Sequence, residues 1–150
     1  MRTLLHRSAL VVLALMLLAV ATPVQADINP HKKLKQHVRS MVQDVKAAPT
    51  AEKKRALLDE KLRGMIDALN RAESMATLSP SDQEGIDALR TRLQETLDEL
   101  HGQNGYEAVP AGQLNSFADY VQQDFEQADR TLTISLTTAL LVLILIVLLV

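Results

Sequence analysis

The residue types that most often carry chemistry in proteins are few in this chain and poorly spaced for it. Beyond the first 26 residues the histidines are His31, His37 and His101. Metal ligands on one helix lie three or four residues apart, whereas His31 and His37 are six apart, so their side chains diverge. Asp98 and His101 have carboxylate-x-x-His spacing, but di-metal bundles use two such motifs and further carboxylates. His101 is explained more simply as a cation favoured at a helix C-terminus, and we expect neither a metal nor another cofactor.

Motifs for nucleophilic or phosphate chemistry are also missing from the sequence. It contains no Cys, no Ser-x-x-Lys, no Gly-x-Ser-x-Gly and no Gly-rich phosphate loop. Acidic neighbours such as Asp59 and Glu60 point about 100° apart on a helix, so they do not share a substrate. We therefore expect a protein that is not an enzyme.

The N-terminal residues have the layout of a secretory signal peptide. Arg2 and Arg7 precede an apolar run from Ala9 to Ala21, and Val24 and Ala26 are small residues three and one before a cleavage site. We expect cleavage after Ala26. Two alternatives stay open, namely an earlier cut at the end of the apolar run and an N-terminal anchor that is not cleaved.

The C-terminal residues predict a membrane span. Leu132 to Val150 carry no charge and, as a helix, reach roughly 28 Å, close to the hydrocarbon thickness of a bilayer. We expect residues 131–150 to form a single transmembrane helix with residues 27–130 as the exported domain. A lipid-anchor attachment signal has a similar ending, but aromatic residues interrupt its cleavage region around Asn115 and Ser116, so a permanent anchor is simpler.

Small residues recur within the predicted span. Thr131, Ser135 and Ala139 are four residues apart, a small-xxx-small row that allows close approach of another transmembrane helix. The alternative is that the hydroxyls bond their own backbone one turn back.

Between the two ends, apolar residues follow helical periodicity and predict an all-α domain. The expected helices cover about 30–47, 51–77, 80–101 and 113–130, and Asn29, Thr50 and Ser79 are the expected N-caps. The short link before Pro80 makes the second and third helices an antiparallel hairpin. Because no residue after Gln113 breaks a helix, we expect the last one to continue into the membrane.

Charge is distributed unevenly along the domain. Residues 27–71 contain eleven Lys or Arg and six Asp or Glu, whereas residues 72–130 contain three and twelve. This asymmetry predicts a basic helix packed on an acidic one, with the second and third helices complementary in that sense. A cluster of cations near the start of the domain is either a solvated helix face or a contact for anionic lipid headgroups or cell-wall polymer; its members are Lys32, Lys33, Lys35 and Arg39, flanked by His31 and His37.

These features favour a non-enzymatic, membrane-anchored helical interaction, scaffold or accessory protein of the bacterial envelope, facing away from the cytoplasm. The expected partners are membrane lipid and either another protein or a second copy bound through helices, and not nucleic acid. The alternative is a sensor that binds an amphipathic molecule or misfolded segment between its helices, which predicts an apolar cavity in the bundle.

Overall fold

A computed structural model describes residues 29–131 and 134–149, and within these ranges the chain is all-helical. The all-α prediction is confirmed for the described residues, which contain no strand. The predicted signal peptide lies outside them. The helices are α1 (Pro30–Ala47), α2 (Ala51–Met75), α3 (Pro80–His101), α4 (Leu114–Thr131) and α5 (Leu136–Leu149), with a 3₁₀ turn at Ala111–Gln113 before α4.

Side-chain caps fix the starts of the first three helices. The Asn29 side chain accepts a hydrogen bond from the backbone N–H of Lys32 at 3.1 Å. Thr50 does the same for Lys53, and Ser79 for Asp82, each at 3.2 Å. Each cap satisfies one N–H that has no partner inside its helix, which is why short polar residues precede these helices.

Gly102 ends α3 at a position that requires glycine. Its φ of +68° lies in the left-handed region, and a Cβ atom there would lie 2.6 Å from the backbone nitrogen of Ala108. The loop can fold back onto the end of α3 because Gly102 has no side chain.

Each of the first four helices buries one apolar stripe in a shared core. Ion pairs between neighbouring helices show their relative directions. Arg39 and Lys46 of α1 pair with Glu126 and Asp119 of α4 at 2.9 and 2.5 Å, so these helices are antiparallel. The buried stripes are Leu34, Val38, Met41, Val42 and Val45 of α1; Leu58, Leu62, Met65, Ala68, Leu69 and Ala72 of α2; Ile86, Leu89, Leu93, Leu97 and Leu100 of α3; and Leu114, Phe117, Ala118, Val121, Phe125 and Ala128 of α4.

The α2–α3 hairpin is antiparallel, but its charges pair in the opposite sense to the prediction. Glu73 and Asp59 of α2 supply the acids, and Arg90 and His101 of α3 supply the bases. The predicted contact between a basic and an acidic helix occurs instead between α1 and α4. Net charge along a helix therefore did not identify which of its residues face the neighbour.

The C-terminal region differs from the expected continuous helix. Helix α4 ends at Thr131, Ile134 and Ser135 are not helical, and α5 begins at Leu136. Helix α5 packs against α1 and α2 instead of extending α4. Among the described residues, no helix combines the length and apolar character needed to cross a membrane.

Candidate functional site

The most distinctive part of the molecule is α5 and the surface that it covers. Its sequence, LTTALLVLILIVLL, contains no charged residue. The side chains that it buries against the bundle are Ala139, Val142, Leu143, Leu145 and Ile146. We call the surface of α1 and α2 beneath them the α5 groove.

The opposite side of α5 leaves large apolar side chains uncovered. We call Leu140, Ile144, Val147 and Leu148 the outer face of α5; Val147 is 64% exposed and Leu148 is 74% exposed. Exposed single apolar residues are common, but a group of four on one helix marks a surface that another apolar phase can cover.

A buried carboxylate from α3 caps the N-terminus of α5. Asp82 is 5% exposed, and it accepts a hydrogen bond from the backbone N–H of Ser135 at 2.6 Å. The hydroxyls of Ser135 and Thr138 each lie 3.0 Å from the other carboxylate oxygen. We call these contacts the Asp82 cap.

The Asp82 cap joins a negative charge to the positive end of a helix dipole, which is a favourable arrangement. Hydrogen bonds from the Ser135 backbone, and from the hydroxyls of Ser135, Ser79 and Thr138, lower the pKa of Asp82 despite its burial. The carboxylate is therefore ionised at neutral pH, where it binds these donors most strongly.

The predicted row of small residues is not continuous in this structure. Thr131 ends α4, Ser135 precedes α5, and Ala139 is buried against the bundle. The hydroxyls of Ser135 and Thr138 bond a carboxylate of α3 rather than their own backbone alone. Thr131, Ser135 and Ala139 therefore do not lie on one continuous helix while α5 packs against α1 and α2.

A narrow apolar cleft lies where the start of α5 meets the bundle. It measures about 20 Å³, room for one water molecule. A bundle with α5 docked therefore has no space in this cleft for an amphipathic ligand. The residues that line it are His31, Leu34, Leu89, Phe125, Ile134, Ala139 and Val142.

The predicted cationic residues of α1 have unequal surroundings. Lys32 and Lys33 are exposed, Lys35 is partly buried, and Arg39 bonds the carboxylate of Glu126 at 2.9 Å. Burial lowers the pKa of His37, and the nearby positive charge of Lys61 lowers it further, so His37 adds little charge at neutral pH. Lys32 and Lys33 follow His31, which lines the cleft beside α5.

The Asp98 and His101 pair from the sequence analysis is not assembled. Asp98 accepts hydrogen bonds from Gln94 at 3.0 Å and Asn104 at 2.7 Å. In residues 29–131 and 134–149, no three His, Cys, Asp or Glu side chains are grouped to hold a metal ion.

His101 instead contacts Asp59 of α2, a pairing that sequence spacing could not reveal. Its Nε2 lies 2.6 Å from Asp59, which also accepts from Arg63. Burial acts to raise the pKa of Asp59, but the hydrogen bonds from Arg63 and His101 lower it overall. Asp59 and His101 border a groove of about 420 Å³, and the described residues that line it include no Ser or Thr. The pair joins α2 to α3.

Comparisons of the chain with protein-family models, with curated proteins and with solved structures gave no match.

Proposed function

We propose that this protein is a non-enzymatic helical interaction protein, a scaffold or accessory subunit of the bacterial envelope that associates with the membrane through its C-terminal segment. The outer face of α5 carries the proposal. Leu140, Ile144, Val147 and Leu148 remain between 38% and 74% exposed in the bundle, and a bilayer would remove this apolar surface from water.

The start of α1 supports the same assignment. The exposed Lys32 and Lys33 adjoin His31, which lines the same cleft as Ala139 and Val142 of α5. Cations beside an apolar surface suit the interface of a bilayer with anionic headgroups. Export of the domain, as the first 26 residues predict, would place this surface on the outer side of the cytoplasmic membrane.

Flotation with lipid vesicles tests the proposed membrane association. We expect the full chain to float with the vesicles and Ile144→Lys to reduce its binding roughly 100-fold, since a Lys within an apolar helix opposes insertion strongly. Ile144 is 48% exposed, so this change should leave the bundle folded. Met75→Lys is the matched control, because Met75 is an exposed apolar residue of α2. Equal flotation of the two variants, or no flotation of the parent, would overturn the proposal.

Protease treatment of intact spheroplasts tests the proposed side of the membrane. Protease added outside should digest the region from Asp27 to Arg130, because the signal peptide exports it. Digestion only after lysis would place the domain in the cytoplasm and refute the export proposal.

The alternative function is a sensor for an amphipathic molecule or a misfolded segment. The α5 groove favours it, because this groove already accepts an apolar helix. A ligand would have to displace α5, since the cleft beside it holds only about 20 Å³. A long-chain fatty acid that binds saturably in the absence of vesicles, and releases α5 as it does so, would favour the sensor over the anchor.

A further inference from the structure

The Asp82 cap is unusual because a buried carboxylate of one helix serves the end of another. Both of its oxygens are within 3.0 Å of donors from Ser135 or Thr138. Ser135 in turn accepts from the backbone N–H of Thr138 at 3.3 Å, as an N-cap does. These contacts hold the chain non-helical just before α5 and orient its first turn into the α5 groove.

The same cap separates α5 from α4. A continuous helix would commit the backbone N–H of Ser135 to the carbonyl of Thr131, four residues earlier. In this structure that N–H donates to Asp82 instead. A continuous C-terminal helix and the Asp82 cap are therefore mutually exclusive arrangements of the same backbone.

Docking also leaves α5 only partly covered. The groove covers its buried side chains, whereas the outer face stays in water. A bilayer would cover both sides, and residues 132–150 as one helix would reach roughly 28 Å, enough to span its hydrocarbon region with every backbone group bonded. The groove and the bilayer thus compete for one segment.

We infer that Asp82 and the α5 groove form a docking site that holds the C-terminal segment out of the bilayer, and that loss of the Asp82 cap releases this segment to the membrane. The occupant of the site is α5 itself, recognised by its apolar side and by the Ser135 and Thr138 hydroxyls. The release step rests on the proposed membrane association; the docking step does not.

Thiol labelling of the full chain tests the docking step without lipid. The chain has no Cys, so single substitutions give unambiguous sites. Val142→Cys places a thiol at a position that is 2% exposed, and Leu148→Cys places one on the outer face of the same helix. We expect slow labelling by a water-soluble maleimide at position 142 and fast labelling at position 148.

Asp82→Ala in the Val142→Cys background removes three hydrogen bonds to a carboxylate, and it should raise labelling at position 142 by at least about tenfold, the effect of losing one such bond. Asp87→Ala is the matched control, because it removes an exposed carboxylate from the same helix. Val45→Cys reports on the core of α1, and its thiol should stay protected in both variants. If Asp82→Ala also exposes position 45, the milder Asp82→Asn takes its place, with a smaller rise expected at position 142. Equal labelling at position 142 in the position-82 and position-87 variants would overturn the docking site.

Vesicle flotation of the same variants tests the release step. Asp82→Ala should bind vesicles more strongly than the parent chain, and Asp87→Ala should match the parent. Increased labelling with unchanged vesicle binding would refute competition between groove and bilayer. Increased labelling with no vesicle binding by any variant would retain the docking site and refute the proposed membrane function instead.

Discussion

At the residue scale, Asp82 shows how one side chain can serve two helices. Its backbone N–H donates to Ser79 and so helps to start α3, while its carboxylate caps α5. The N–H of Asp82 lies in the first turn of α3, where backbone N–H groups have no acceptor inside the helix, and it therefore bonds Ser79. The carboxylate of the same residue accepts from the start of α5. Its carboxylate is 5% exposed, so the donors from α5 substitute for water that burial has excluded.

The lowered pKa of Asp82 predicts acid-dependent release of α5. Because the docked state depresses this pKa below its ordinary value of 3.8, the ionised form favours docking. That contribution is fully present above the ordinary value and is lost as the pH falls through the lowered one. Methyl NMR signals of Val142 and Ile146 should report undocking over this range. The Asp82→Asn variant should lack this part of the pH response, and an identical response in both chains would contradict the assignment.

Arg55 provides a second prediction at this scale. Its guanidinium donates to the carbonyls of Leu100 and Val109, and so ties α2 to the end of α3 and to the following loop. Arg55→Lys keeps the charge but loses the planar fork that reaches both carbonyls, so we expect a loss of about 1.5–3 kcal/mol in the free energy of unfolding.

The control for Arg55 is Arg63→Lys on the same helix. Arg63 is exposed and pairs with Asp59 four residues away, an interaction that contributes only about 0.2–0.5 kcal/mol. Denaturant titration compares the two variants. Similar losses would mean that the contacts of Arg55 contribute no more than a surface pair.

Sequence reasoning identified some of these residues and missed others for a common physical reason. The caps Asn29, Thr50 and Ser79 act on residues three positions away, so their signals are local. The contacts of Asp82 with Ser135, and of Asp59 with His101, join residues 53 and 42 positions apart. Only the packing of the helices brings such groups together.

At the element scale, the same distinction explains where the helix predictions held. Periodicity and capping predicted a helix over 30–47 and another over 80–101, and the observed α1 and α3 have these bounds. The break between α4 and α5 has no Gly or Pro to mark it. It occurs where the Ser135 N–H bonds Asp82 instead of a preceding turn. Thr, Ile and Ser, which surround the break, have only modest helix propensity, so this tertiary contact can prevail over helix continuation.

The α2–α3 hairpin supplies a prediction for helix packing. Leu93 is 4% exposed and lies on the buried stripe of α3, so Leu93→Ala should reduce the free energy of unfolding by roughly 2 to 4 kcal/mol. Met75→Ala, at a position that is 67% exposed, should change it by less than about 0.5 kcal/mol. Denaturant titration of both full-length variants checks this, and a small effect at Leu93 would show that its stripe is free to serve a partner.

At the scale of the whole molecule, two exposed cations of α1 lie at the end of that helix beside the apolar helix α5. Neither helix propensity nor core packing requires this arrangement. Arg39 and Lys46 of α1 are used in pairing with α4, whereas Lys32 and Lys33 remain exposed at the end of α1 that adjoins the start of α5. The exposed cations Lys32 and Lys33 thus lie at the end of α1 that adjoins the apolar helix.

This arrangement predicts that vesicle binding depends on anionic lipid as well as on α5. A Lys at a membrane surface contributes about 1 kcal/mol, so Lys32→Gln and Lys33→Gln should each weaken binding to anionic vesicles about fivefold. Binding to uncharged vesicles should not change. Lys53→Gln is the control, because this exposed residue lies in the first turn of α2, which follows the end of α1 opposite His31.

Salt provides an independent check on the same prediction. Raising the ionic strength shortens the screening length, so the advantage of anionic over uncharged vesicles should shrink with added salt, and shrink less in the Lys32→Gln and Lys33→Gln variants. The contribution of Ile144 is hydrophobic and should persist at high salt. If Lys53→Gln weakens binding as much as the other two variants do, the attraction reflects the general positive charge of residues 27–71. The end of α1 beside α5 would then have no special part in membrane contact.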